Sequence, residues 1–188
     1  LKPLFTLDCE EIFLQEFRLE DVDAIYDITS QPEVYEFLPD WKTTREQRHY
    51  YVSEYEIPSN KAFISALPNI EGQGILKLGI IHKETEQFIG FISTGIKEDL
   101  PEPNREFAFA ISRDFMRRGY ATKATKRLIA FLFEETNLEV INAIALPENI
   151  GSNTVIEKSG LQYRAEVQIE GQNYLHYLLH KRDWIRNS

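Results

Sequence analysis

The chain has 188 residues, a formal net charge of -9, 43% apolar and 27% charged residues. This is the length of one domain with a full core, and the acidic balance argues against general nucleic-acid binding, which needs a broad basic face. A single cysteine, Cys9, excludes an internal disulfide and a cysteine-based zinc site; with no apolar run of spanning length and no visible signal peptide, the expected compartment is the cytoplasm.

Glu11 to Phe17 predicts the first strand. A helix is expected from Arg18-Leu19-Glu20-Asp21, with acids in its first turn and Val22, Ile25, Tyr26 and Ile28 on one face. Pro32 interrupts it, a short helical piece covers Glu33 to Leu38, and Pro39 stops that. Thr43 and Glu46 have capping-box spacing and open a helix whose Tyr50, Tyr51 and Tyr55 are expected to pack. Ala62 to Leu67 predicts a strand and 68–74 a loop. Leu76 to His82 and Phe88 to Thr94 flank a polar turn and predict a hairpin, and 97–104 is a proline-bearing loop.

The stretch from Asn104 to Arg127 changes period. Phe107, Phe109 and Ile111 alternate with Glu106, Ala108 and Ala110, as in a strand. From about Gly119 the spacing of Ala121, Ala124, Thr125, Leu128 and Leu132 is helical. Arg113, Arg117 and Arg118 occupy the join, and residues 113–127 hold six basic residues and one acid. A glycine turn opening a helix presents free N–H groups and the positive end of the helix dipole, which suits a phosphate. On an acidic chain, this positive loop suggests a small anionic ligand; the alternative is a solvated basic helix end.

Glu139 to Leu146 predicts a strand buried on both faces, broken by Pro147-Glu148-Asn149. Ser152 to Ser159 predicts a short helix, and Leu161 to Ile169 with Tyr174 to His180 a last pair of strands. With no repeat or linker, residues 1–188 read as a single α+β domain with a mixed, mostly antiparallel sheet. Nucleotide loops of the G-x-x-x-x-G-K-[ST] and G-x-G-x-x-G types are absent, as are H-E-x-x-H and G-x-S-x-G. His176 and His180 share a strand face and read as strand-surface residues, so no metal is expected.

Arg117-Arg118-Gly119-Tyr120-Ala121-Thr122-Lys123-Ala124, after a strand bearing Glu106, resembles the acyl-CoA loop of the GNAT (GCN5-related) N-acetyltransferases. Asn149-x-x-Ser152-x-x-Val155-x-Glu157-Lys158-x-Gly160-Leu161 is similar to that family's second motif. Phe17 to Asp21, Gln31-Pro32-Glu33-Val34 and Arg182-Asp183-Trp184 resemble the RimJ/RimL-type branch, which acetylates N-termini of ribosomal proteins.

The resemblance implies a GNAT-like fold with helices on both faces of a sheet that splays between Phe107–Ile111 and Val140–Leu146. Acetyl-CoA would lie in the split along Phe109 and Ile111, with its pyrophosphate near Arg113, Arg117, Arg118, Gly119, Ala121 and Thr122, and with Asn149 and Ser152 beside the pantetheine. The acceptor would be a primary amine, on a protein N-terminus or a small molecule, attacking directly in a ternary complex. Glu106 is the expected base, with an expected raised pKa if buried; the alternative is an exposed residue paired with Arg105 or a lysine. The family often places a tyrosine acid where Ile156 stands here, so Ser152 is the expected donor to the leaving sulfur, or else only a helix cap. The departure at Ile156 also leaves room for a second reading, a non-catalytic acyl-CoA sensor.

Overall fold

The computed structural model describes residues 3–187. Eight strands among them form one sheet: β1 (Thr6–Cys9), β2 (Ile12–Glu16), β3 (Leu76–His82), β4 (Phe88–Ile96), β5 (Arg105–Ile111), β6 (Val140–Ala145), β7 (Gln162–Ile169) and β8 (Gln172–His180). Their spatial order is β1-β2-β3-β4-β5-β6-β8-β7. Neighbours are antiparallel except β5 and β6, which run parallel and meet only at Glu106 and Asn142. The helices are α1 (Val22–Thr29), α2 (Pro32–Tyr35), α3 (Arg45–Tyr51), α4 (Ile57–Ala66), α5 (Tyr120–Glu135), α6 (Ile150–Lys158) and α7 (Lys181–Asn187).

Alternation along the central strands separates two cores. Phe107 and Ile111 of β5 and Ile92 of β4 pack with Tyr120, Ala124, Leu128 and Leu132 of α5. Ala110 and Phe91 point the other way, into Phe17, Val22, Ile25, Ile28 and Val34. Glu106 and Ala108 therefore share the face of Ala110.

Residues 57–66 are helical, where a strand over Ala62 to Leu67 was expected. The buried positions Glu56, Asn60 and Phe63 lie four and three residues apart, and the short apolar run within them imitates a strand. The helix also completes the sheet. β2 pairs with β3 only as far as Leu78, and Asn60 takes over at Lys77, donating to its carbonyl and accepting its N–H at 2.7 Å each. The capping box is shifted by one residue: Thr44 and Gln47 exchange the two bonds, because two such patterns overlap in sequence. Tyr50, Tyr51 and Tyr55 remain exposed, where burial was expected; their rings pack against one another, and the Arg48 guanidinium lies over the Tyr51 ring. His176 is buried at 4% exposure instead of lying on the strand surface. β1 and α7 were not anticipated.

A π-helical turn, Val52–Glu56, joins α3 to α4 and turns Glu56 inward. There its carboxylate meets Lys77 Nζ at 2.6 Å and Arg48 at 3.4 Å. Lys77 also lies 3.7 Å from the centroid of the Trp41 ring, which stacks on Phe91. Burial pulls the Lys77 and Arg48 pKa values down, and Glu56 opposes that pull. Glu56→Ala leaves two buried cations without their counter-charge. The expected cost is about 3–5 kcal/mol in urea denaturation, with partial recovery when Lys77→Met is added.

Candidate active site

The split between β5 and β6 opens beyond their one pairing point and becomes a cavity of about 990 Å³. Strand alternation explains its lining. The Arg105 carbonyl accepts from Asn142 Nδ2 on the β6 side, while the Glu106 carbonyl accepts from Thr94 Oγ1 on the β4 side. Main-chain groups of Phe109 and Ile111 consequently face the split, where β6 has already diverged. Such an edge can add an extended polar ligand by backbone hydrogen bonds.

The far end of the split is the turn into α5. Arg117 has φ of 61° and Gly119 φ of 83°. Both are left-handed, and glycine meets that demand at Gly119 without the strain of a side chain. The first helical bond runs from the Lys123 N–H to the Gly119 carbonyl at 3.0 Å, so the amides of residues 120–122 precede it. No side chain among the described residues caps them. The approach to this turn is braced by Gln31 at the head of α2, which accepts from the Arg113 N–H at 2.8 Å and donates to Ser112 Oγ.

Glu106 lines the cavity near the pairing point. Burial raises its pKa to about 7, with Lys97 opposing and Asp99 adding to the rise. Neither alternative partner takes it: Arg105 donates to the Gly74 and Gln73 carbonyls, and Lys97 pairs with Asp99 at 2.8 Å. The group is poised to accept a proton near neutrality.

Across the split, Asn149 caps α6, its Oδ1 accepting from the Ser152 N–H at 3.1 Å. This leaves the Ser152 side chain on the cavity wall. The loop before it is tied down by Asn153, which donates to the Leu146 and Asn149 carbonyls and accepts from the Tyr177 hydroxyl. Ile156, at 2% exposure, belongs to the core.

The cavity thus gathers Glu106, Phe109, Ile111, Arg117, Gly119, Ala121, Thr122, Asn149 and Ser152 from separate elements. Arg113 and Arg118 are not among its lining residues; Arg113 lies beside Asp114, and Arg118 lies over the Phe115 ring. The sequence alone does not single out Asn142, Thr94 or Lys97, and it marks Gln31 only within the resemblance over Gln31 to Val34. Asn142 did carry a signal, as the one polar residue inside the apolar run VINAIA. Glu33, Glu36, Asp40, Glu148 and Glu170 also line the cavity, where acids outnumber the cations Lys97, Arg117 and Lys158, and Lys97 acts on Glu106. Among the described residues no cluster of three or more His, Cys, Asp or Glu could hold a metal ion, and no helix is long and apolar enough to cross a membrane.

Comparison with known proteins places this geometry. Residues 11–162 match the family described as the acetyltransferase (GNAT) domain. The uncharacterized N-acetyltransferase YnaD of Bacillus subtilis is 26% identical over 153 residues, 81% of this chain and 80% of that protein. A GNAT-family acetyltransferase from Bacillus anthracis superposes with a TM-score of 0.75 at 18% identity, over 95% of this chain and 99% of that one. The aminoglycoside acetyltransferase AAC(6')-Ib, in complex with coenzyme A and kanamycin, gives a TM-score of 0.73 at 14% identity, over 93% of this chain and 98% of that one. At such identities the two structures show a shared fold.

Glu106 makes stability depend on pH. Its folded pKa lies above the unfolded value of 4.5, so the folded chain holds the extra proton between pH 4.5 and about 7. Stability from this group is full below that window and is lost as pH rises through it. Glu106→Gln is therefore expected to be more stable than the parent above pH 7, by about 1–3 kcal/mol, with no difference below pH 4.5. Urea denaturation at both ends of the window measures it.

Proposed function

The chain belongs to the GNAT acetyltransferase family, and on that premise we propose that it moves an acetyl group from acetyl-CoA to a primary amine by direct attack. The observation that carries this reading is a half-buried carboxyl of pKa about 7 in the same cavity as the uncapped amides of α5. The amides of residues 120–122 and the Gly119 turn receive the pyrophosphate. The exposed edge of β5 holds the pantetheine arm, which brings the thioester toward Glu106.

Glu106 takes a proton from the incoming ammonium, directly or through a water. The amine nitrogen then forms its bond to the acetyl carbon as the carbon–sulfur bond breaks, the nitrogen's second proton passes to the departing sulfur, and the Ser152 hydroxyl donates a hydrogen bond to that thiolate as it leaves. Ile156 cannot serve as acid, and Ser152 stands on the wall of the split where a donor is needed. Glu33, Glu36, Asp40 and Glu170 favour an acceptor that arrives positively charged. Among such amines we favour the N-terminus of a protein. Support comes from the resemblance of Gln31 to Val34 and of Arg182 to Trp184 to the branch that modifies ribosomal proteins.

Thiol release from acetyl-CoA, tested with N-terminal peptides, polyamines and aminoglycosides, is the direct assay. Turnover with none of them overturns the reading. With the best acceptor, kcat/KM is expected to rise with pH through a midpoint near 7, as Glu106 loses its proton. Glu106→Gln should lower it by about 10²–10⁴-fold and abolish that limb. Gly119→Ala forces a β-carbon into a left-handed turn at a cost of about 1–2 kcal/mol, and should raise the KM for acetyl-CoA more than it lowers kcat.

A further inference from the structure

We propose that Asn142, oriented by His176, is a positioning residue: it ties β6 to the chain entering β5 at their one pairing point and holds the backbone of Glu106 at the head of the split. This rests on the assignment of Glu106 as base.

Asn142 is 2% exposed and stands at the one point where β5 and β6 pair. A polar side chain buried in an apolar strand is costly unless its bonds are met. All of its bonding goes to the segment before Glu106 or to His176. Nδ2 donates to the Pro103 carbonyl at 2.8 Å and to the Arg105 carbonyl at 3.0 Å. The carboxamide thus spans the approach to β5 from a side chain of β6. Oδ1 accepts from His176 Nε2 at 2.9 Å, which sets both the flip of the amide and the tautomer of the ring. Thr94 holds the next carbonyl, that of Glu106, from the opposite neighbour at 2.7 Å. The Arg105 side chain is anchored in turn on the Gln73 and Gly74 carbonyls. The main chain at 105–106 is therefore gripped from both flanking strands and from the 68–74 loop, while the Glu106 side chain lies in the cavity.

The consequence is chemical as well as structural. Burial is the largest cause of the raised Glu106 pKa, and burial depends on where β5 leaves β6. If the grip loosens, the split extends toward Glu106, water enters, and the carboxyl returns toward its ordinary value. The other groups at hand are Lys97 and Asp99 from the loop before β5, and Tyr174 of β8 beside Lys97. His176 faces Arg164, and burial followed by that charge lowers its pKa, so it is neutral near pH 7. It donates through Nε2 in either protonation state, so its own titration does not break the bond.

The test is Asn142→Ala in the full chain. It is read by carboxyl carbon-13 NMR titration of Glu106 in the free protein and by the pH profile of acetyl transfer. Both midpoints are expected to move to lower pH by about one unit or more, with kcat falling about tenfold and the KM for acetyl-CoA nearly unchanged. Thr94→Val and His176→Leu, which each remove one part of the grip, should move the midpoint the same way by less. They carry the test if Asn142→Ala does not fold. A fall in stability with both midpoints unmoved in every folded variant overturns the proposal and leaves Asn142 as core polarity alone. The base assignment fails separately: a limb that survives in Glu106→Gln belongs to another group. A limb that vanishes there yet stays in place in Asn142→Ala removes only the role of Asn142.

Discussion

One parallel contact between β5 and β6 governs the whole molecule. An antiparallel sheet of this size could close its ladders from edge to edge. Here the central pair runs parallel, meets at Glu106 and Asn142, and then separates. Separation leaves backbone groups exposed in the middle of a sheet, which is costly unless something satisfies them. The fold confines the cost to a cavity and spends side chains on its borders. Asn142 closes the narrow end, while Asn149, Asn153 and Tyr177 hold the wall beyond β6.

Charge is arranged along the same axis. The chain is acidic overall, yet one end of the cavity is the start of α5, with Arg117 at the turn. The helix dipole and uncapped amides add to that positive end. Glu33, Glu36, Asp40, Glu148 and Glu170 also line the cavity, with Lys97 and Lys158. The positive turn suits an anionic group, and the acidic lining elsewhere suits a cationic one. Glu106 lines the same cavity near the pairing point, and burial rather than a like-charged neighbour is the main reason it holds its proton to near neutrality.

The acidic wall has an unusual support. Trp41 stacks on Phe91 while Lys77 and Arg48 approach its ring from the buried Glu56 cluster. Arg48 also donates to the Trp41 carbonyl at 2.8 Å. A π-helical turn puts Glu56 in place, as irregular helix often does beside a site. Ion pairs of this kind add little net stability, yet breaking one leaves a buried charge without its partner.

The amino-acid sequence by itself determined what depends on local period and local turn chemistry. The central strand, the glycine turn, the long α5 and the apolar strand over 140–145 were legible because alternation, helical spacing and a glycine at a left-handed position are all properties of neighbours in the chain. Tertiary structure decided what depends on partners far apart in sequence. Residues 62–66 lie in a helix whose Asn60 completes the open edge of β3. His176 became internal because Asn142, 34 positions away, needed a donor. The pKa of Glu106 follows from the same cause: only the assembled sheet draws that carboxyl partly out of water, and no run of adjacent residues encodes that loss of solvent.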